Sequence, residues 1–189
     1  MLLIIALLYP ETESSFRWSK SFALFLFLFA ALTDWLDGWL ARKFGQVSDF
    51  GKFMDALADK VLTLGMFTSL LALGALPIWA LFPILLILSR ELLITGLRLV
   101  AAGKGKTLEA EKIGKLKTVI QLTCISLSLA KLSVESDFTF ILSQDSQVLA
   151  LDILDLSTAS TLILATFITV ISGVVYLTKY WRFFLDEEK

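Results

Sequence analysis

The residues whose types and spacing could do chemistry are four aspartates in two short runs. Asp34-Trp-Leu-Asp37-Gly38-Trp-Leu-Ala41-Arg42 is followed eight residues later by Gly51-Lys-Phe-Met-Asp55-Ala-Leu-Ala-Asp59-Lys60. Asp34, Asp37, Gly38 and Ala41 recur at i, i+3, i+4, i+7 and share one helical face; Gly51, Asp55 and Asp59 recur at i, i+4, i+8 and share a face of the next helix. Four carboxylates on two successive helices can therefore face one another. Near a membrane that is costly, because an Asp at the centre of a spanning helix is disfavoured by ~2.5–3.5 kcal/mol even on a mild insertion scale. Divalent cations would balance the charge, and oxygen-only ligation suits Mg²⁺ or Mn²⁺. Two carboxylate-bridged metals can clamp both the attacking and the leaving oxygen at a phosphorus. The competing reading, acids merely solvated at helix ends, gives no reason for helical phase on two helices in a row. Gly38, Ala41 and Gly51 leave room beside the acids, although small residues also let membrane helices pack closely; Arg42 can pair bidentately with a phosphate.

Composition narrows the rest. The 189 residues are 57% hydrophobic and 19% charged, with no His, one Cys and a net charge of −1. Soluble chains average ~45–50% apolar, so the excess needs a bilayer. The absence of His excludes Ser-His-Asp and Cys-His catalysis and His-type zinc sites, and one Cys excludes a disulfide framework. The charge balance offers no electrostatic basis for binding nucleic acid.

The elements that must position the aspartates follow from the charge-free stretches at 1–9, 21–33, 61–89, 118–130 and 156–178. The 61–89 stretch would run about 44 Å as one helix, beyond a ~30 Å hydrocarbon core, and it contains Leu-Gly74-Ala-Leu-Pro77, so it predicts a hairpin. Spans are expected at 21–41, 52–74, 78–100, 117–135 and 156–178, after an incomplete one at 1–9. The alternative of a signal peptide at 1–9 lacks a basic start and a small-residue cleavage pattern. Residues 134–155 read as an external loop with a short interfacial helix. A hairpin brings Asp55, Asp59, Lys60, Arg90, Glu91 and Arg98 to one membrane face, with Asp34 and Asp37. Lys104, Lys106, Lys112, Lys115 and Lys117 follow on the same side, which makes it cytoplasmic by the positive-inside rule.

The full pattern Asp34-x2-Asp37-Gly38-x2-Ala41-Arg42-x8-Gly51-x3-Asp55-x3-Asp59 resembles the signature of the CDP-alcohol phosphotransferase family at every fixed position. The resemblance implies an all-α polytopic membrane bundle of six transmembrane helices, the first apparently incomplete here, forming one domain over 1–189 and commonly a homodimer. It further implies that Asp34, Asp37, Asp55 and Asp59 bind two divalent metals, that Asp34, Gly38, Ala41, Arg42 and Gly51 contact the CDP moiety, and that Asp59 is the base.

The second half bears on the acceptor. Ser89-Arg90-Glu91-x4-Gly96-Leu97-Arg98 and Gly114-Lys115-Leu116-Lys117-Thr118 resemble stretches of bacterial phosphatidylglycerophosphate synthases, which act on CDP-diacylglycerol and glycerol 3-phosphate at the inner membrane. Arg90 and Arg98, eight residues apart, share a helical face, and with Lys115 and Lys117 they suit an anionic acceptor. The plainer alternative is that these lysines set topology and meet anionic lipid. Other acceptors stay open, namely an inositol phosphate, serine or a phosphatidyl lipid. A divalent-cation transporter is a further alternative, but the stretches 61–74 and 21–33 provide almost no polar path across the membrane.

Overall fold

The computed structural model describes residues 1–9, 18–44, 49–103 and 112–185, and among these every regular element is helical. The helices are α1 (Leu2–Leu8), α2 (Ser19–Phe44), α3 (Asp49–Ala72), α4 (Leu81–Gly103), α5 (Lys112–Ser136) and α6 (Gln144–Leu185), with one 3₁₀ turn at Ile78–Ala80. Among the described residues, three stretches are long and apolar enough to cross a membrane: Ile78–Gly103, Leu116–Ser136 and Gln144–Tyr180.

The expected hairpin is present. α3 stops at Ala72, and Gly74 takes a positive φ of 72°, a left-handed conformation that only glycine adopts at little cost. Pro77 then opens the 3₁₀ turn, whose Ala80 N–H donates to the Pro77 carbonyl at 2.9 Å.

α5 is the central post. It packs against α2, α3 and α6, while α4 packs on α6 and meets α3, and α1 lies on α2. The core is built from Phe27, Met66, Phe67, Leu70, Ile84, Ile87, Ile125, Leu129 and Leu162. Polar groups sit inside and large apolar ones outside. Ser69, Gln121, Ser128, Ser133, Thr169 and Ser172 are buried, whereas Phe22, Phe25, Phe29, Phe82, Phe167 and Val174 are exposed. In water such a surface would be an association hazard; against hydrocarbon it is the expected outer face, with small and hydroxyl residues left for helix contacts. The chain is an integral membrane protein.

The end of the bundle away from the aspartates is held by a polar knot. Asp137, 1% exposed and just past the end of α5, accepts from the Ser21 N–H at 2.7 Å and the Ser21 hydroxyl at 2.6 Å and so satisfies a first-turn donor of α2. The Lys20 ammonium donates to the Leu8 carbonyl at the end of α1, where a cation suits the helix dipole. Burial pushes the Lys20 ammonium below its ordinary value, with Asp137 opposing the shift.

One expectation is corrected. The reading of 134–155 as an external loop with a short interfacial helix is right that part of it is helical, but the loop is only the link between Ser136 and Gln144, and 144–155 is continuous with the rest of α6. At ~1.5 Å per residue the 42 residues of α6 run about 63 Å, so the helix projects beyond the hydrocarbon layer. Polarity had suggested a loop, but no Gly or Pro occurs between 144 and 172. Ser143 supplies a start, its hydroxyl accepting from the Ser146 N–H at 3.4 Å, with Asp145 in the first turn.

Candidate active site

The fold carries the two aspartate runs to one end of the bundle. Asp34 and Asp37 lie in the last turns of α2, and Asp55 and Asp59 lie in the first half of α3. Asp34 and Asp37 are exposed. For Gly38, Ala41, Arg42, Gly51, Asp55, Asp59 and Lys115 the helical backbone is placed, and their side chains lie outside the described residues.

A cleft of about 380 Å³ joins the two helices to α5. It is lined by Ala31 and Asp34 of α2, Ala58, Val61 and Leu62 of α3, and Thr118 and Leu122 of α5. Asp34 thus shares a cavity with Ala58, the residue beside Asp59. A carboxylate among apolar side chains suits a ligand that is charged at one end and greasy at the other. Met1 also reaches this cleft, and its sulfur lies where a Cβ on Gly65 would be, so that glycine permits the close approach.

The basic groups of α4 and α5 gather at the same end. Glu91 lies between two ammonium groups, pairing with Lys117 of α5 and lying 3.6 Å from Lys60 of α3. Lys117 is 5% exposed, so this ion pair is largely desolvated and ties three helices together. Sequence reasoning had marked Lys117 as a phosphate ligand; the structure gives it a carboxylate partner.

Arg90 and Arg98 instead face α6. The Arg98 guanidinium lies 5.4 Å from the ring centre of Tyr176, and both its Nε and the Tyr176 hydroxyl are buried without a hydrogen-bond partner. The stem of Arg90 crosses Gly173, where a Cβ would meet the Arg90 Cγ at 3.1 Å. Tyr176 and Gly173 are therefore parts of this region that the sequence did not single out, whereas Glu91 and Lys60 were expected at this face without a stated role. A signal was available for Tyr176, since a phenol inside an apolar span must find a polar partner.

Asp34 of α2 in an amphipathic cleft, with guanidinium groups on α4 at the same end, suits chemistry between a charged lipid and an anionic second substrate. The sequence profile of the CDP-alcohol phosphatidyltransferases matches residues 1–181. The chain belongs to that family. Among named family relatives, the CDP-diacylglycerol–glycerol-3-phosphate 3-phosphatidyltransferase of Bacillus subtilis (strain 168) is 39% identical over 158 residues, 83% of this chain and 72% of the relative. The chloroplastic/mitochondrial enzyme 1 of the same name from Arabidopsis thaliana is 34% identical over 191 residues, 95% of this chain and 58% of its own length. A cardiolipin synthase (CMP-forming) of Oryza sativa subsp. japonica is 34% identical over 197 residues, 97% of this chain and 54% of its own. The chain thus spans little more than half the length of the two plant relatives.

Proposed function

We propose that the protein transfers the phosphatidyl group of CDP-diacylglycerol to glycerol 3-phosphate, giving phosphatidylglycerophosphate and CMP. The observation that carries this reading is the buried Arg98 Nε with no partner, on the helix beside Arg90 and at the same end as Asp34 and Asp37. A phosphate acceptor would supply oxygens to that guanidinium, and the Tyr176 hydroxyl beneath it is a further donor. The names of the Bacillus subtilis and Arabidopsis thaliana relatives support the same acceptor.

In the proposed reaction the free primary hydroxyl of glycerol 3-phosphate attacks the lipid-side phosphorus of the diphosphate. A new oxygen–phosphorus bond forms as the bond to CMP breaks, and Asp59 accepts the hydroxyl proton. The donor set is carboxylate oxygen, which fits hard cations: Asp34, Asp37, Asp55 and Asp59 would hold two Mg²⁺ or Mn²⁺ ions, which when bound would offset the charge of the diphosphate. Gly38, Ala41 and Gly51 leave space for the nucleotide beside the helix backbones, and Arg42 pairs with its phosphates. Arg90 and Arg98 hold the acceptor phosphate, which is unchanged by the reaction and so provides position rather than chemistry. Lys115 belongs with them, while Lys117 acts through Glu91. The apolar wall of the cleft at Val61, Leu62 and Leu122 takes the start of the acyl chains. The working unit is a homodimer in a bacterial inner membrane, with the site facing the cytoplasm.

The test is CMP release from CDP-diacylglycerol in detergent, offering glycerol 3-phosphate, an inositol phosphate, serine or phosphatidylglycerol, with and without EDTA. Release that depends on glycerol 3-phosphate and on added Mg²⁺ or Mn²⁺ is expected. Release driven by phosphatidylglycerol instead would move the protein to the reaction named for the rice relative, and full turnover in EDTA would remove the metals.

A further inference from the structure

A second cavity, of about 320 Å³, opens at the opposite end of the bundle, bounded by the α3–α4 turn at Leu76, Trp79, Lys131 of α5, and Asp155, Thr158 and Leu162 of α6. Its volume exceeds the ~300 Å³ at which small-ligand pockets begin. Among the described residues that line it there is none of the proposed catalytic groups.

Its polar groups are of both signs. Lys131 Nζ lies 2.5 Å from Asp155 Oδ1, with the Lys131 side chain 17% exposed and that of Asp155 54% exposed. One ammonium hydrogen is used in this pair and two remain, while the exposed carboxylate keeps acceptor capacity. Behind the pair sits Thr158, a residue 3% exposed whose hydroxyl is buried with no partner. This departs from its neighbours, since the hydroxyls of Ser160, Thr161 and Thr166 each donate to the carbonyl four residues back along α6. Thr158, which lines the pocket, has the same option and does not take it, which leaves its donor unspent.

The pocket lies where the charge-free stretches 118–130 and 156–178 end, the depth expected of lipid headgroups. Lys131 and Asp155 sit where the apolar parts of α5 and α6 begin, and Ile78, Trp79 and Leu156 are exposed around them, so the mouth opens toward the lipid interface. We propose that this pocket seats the headgroup of an aminophospholipid. The lipid ammonium donates to Asp155, and the phosphodiester oxygens accept from Lys131 and from Thr158. An anionic headgroup such as phosphatidylglycerol leaves Asp155 facing negative charge, and a choline headgroup has no N–H to donate. Ile78, Trp79 and Leu156 flank the tails.

The experiment is native mass spectrometry of the full chain, delipidated in detergent and given equimolar phosphatidylethanolamine, phosphatidylcholine and phosphatidylglycerol. Retention of phosphatidylethanolamine about tenfold above the other two is expected, with loss of that preference in Thr158→Val and in Asp155→Asn. Both variants should release CMP at the wild-type rate, which shows that they are folded; Thr158→Val changes little in volume and serves if Asp155→Asn does not express. Equal retention of the three lipids, preference for phosphatidylglycerol, or unchanged selectivity in folded Thr158→Val would overturn the proposal.

Discussion

Glu91→Ala is the perturbation whose size the structure lets us work out. Glu91 pairs with Lys117, 5% exposed, and lies 3.6 Å from Lys60, so its removal takes the carboxylate away from a desolvated ammonium and loosens the tie between α3, α4 and α5. Breaking one side of a buried ion pair typically costs ~3–5 kcal/mol, most of it the cost of the charge left behind. For a chain of this size each kcal/mol shifts Tm by about 2–4 °C, so apparent Tm in detergent should fall by about 6–20 °C. The companion Glu91→Leu/Lys117→Met removes both charges with little change in volume and should recover most of that loss. The assay is thermal unfolding of the purified protein, followed by steady-state CMP release at a temperature where all variants are folded. If Lys117 serves to hold Glu91 and the helix packing rather than the acceptor phosphate, the double variant keeps KM for glycerol 3-phosphate within about threefold of wild type. A Tm within a degree or two of wild type for Glu91→Ala would refute the ion-pair argument. A large rise in KM for the stable double variant would return Lys117 to the acceptor site.

Asp59→Asn should stop CMP release while keeping CDP-diacylglycerol binding, because an amide can still ligate but cannot take a proton; a rate near wild type would place the base elsewhere. Gly173→Leu should push the stem of Arg90 aside and lower kcat/KM for glycerol 3-phosphate by about ten- to a hundredfold, with CDP-diacylglycerol affinity little changed. Equal losses for both substrates would mean that the residue supports packing instead. In a Cys124→Ser background, cysteines introduced at Lys106 and Ser143 should label from the cytoplasmic and external sides respectively, and the reverse labelling would invert the proposed orientation.

The all-helical fold, the hairpin at Gly74 to Pro77 and the three apolar helices long enough to cross a membrane were legible without coordinates. Helical period, charge-free length and breaker residues are local properties, and a bilayer punishes any departure from them. The start of α6 was legible too, in Ser143 and the absence of Gly or Pro after it, but average polarity outweighed that signal. Which charges meet was not legible. Lys117 and Arg98 look alike along the chain, both basic and both near the charged ends of spans. Only the packing of α5 beside α4 gives Lys117 to Glu91, and only the packing of α4 on α6 lays Arg98 over Tyr176. The same holds for the far pocket, where Lys131, Asp155 and Thr158 come from two helices whose relative rotation no periodicity reports. Period tells which face a residue shares with its own helix; which other helix that face meets is set by how side-chain volumes fit across the bundle, and that is decided in three dimensions.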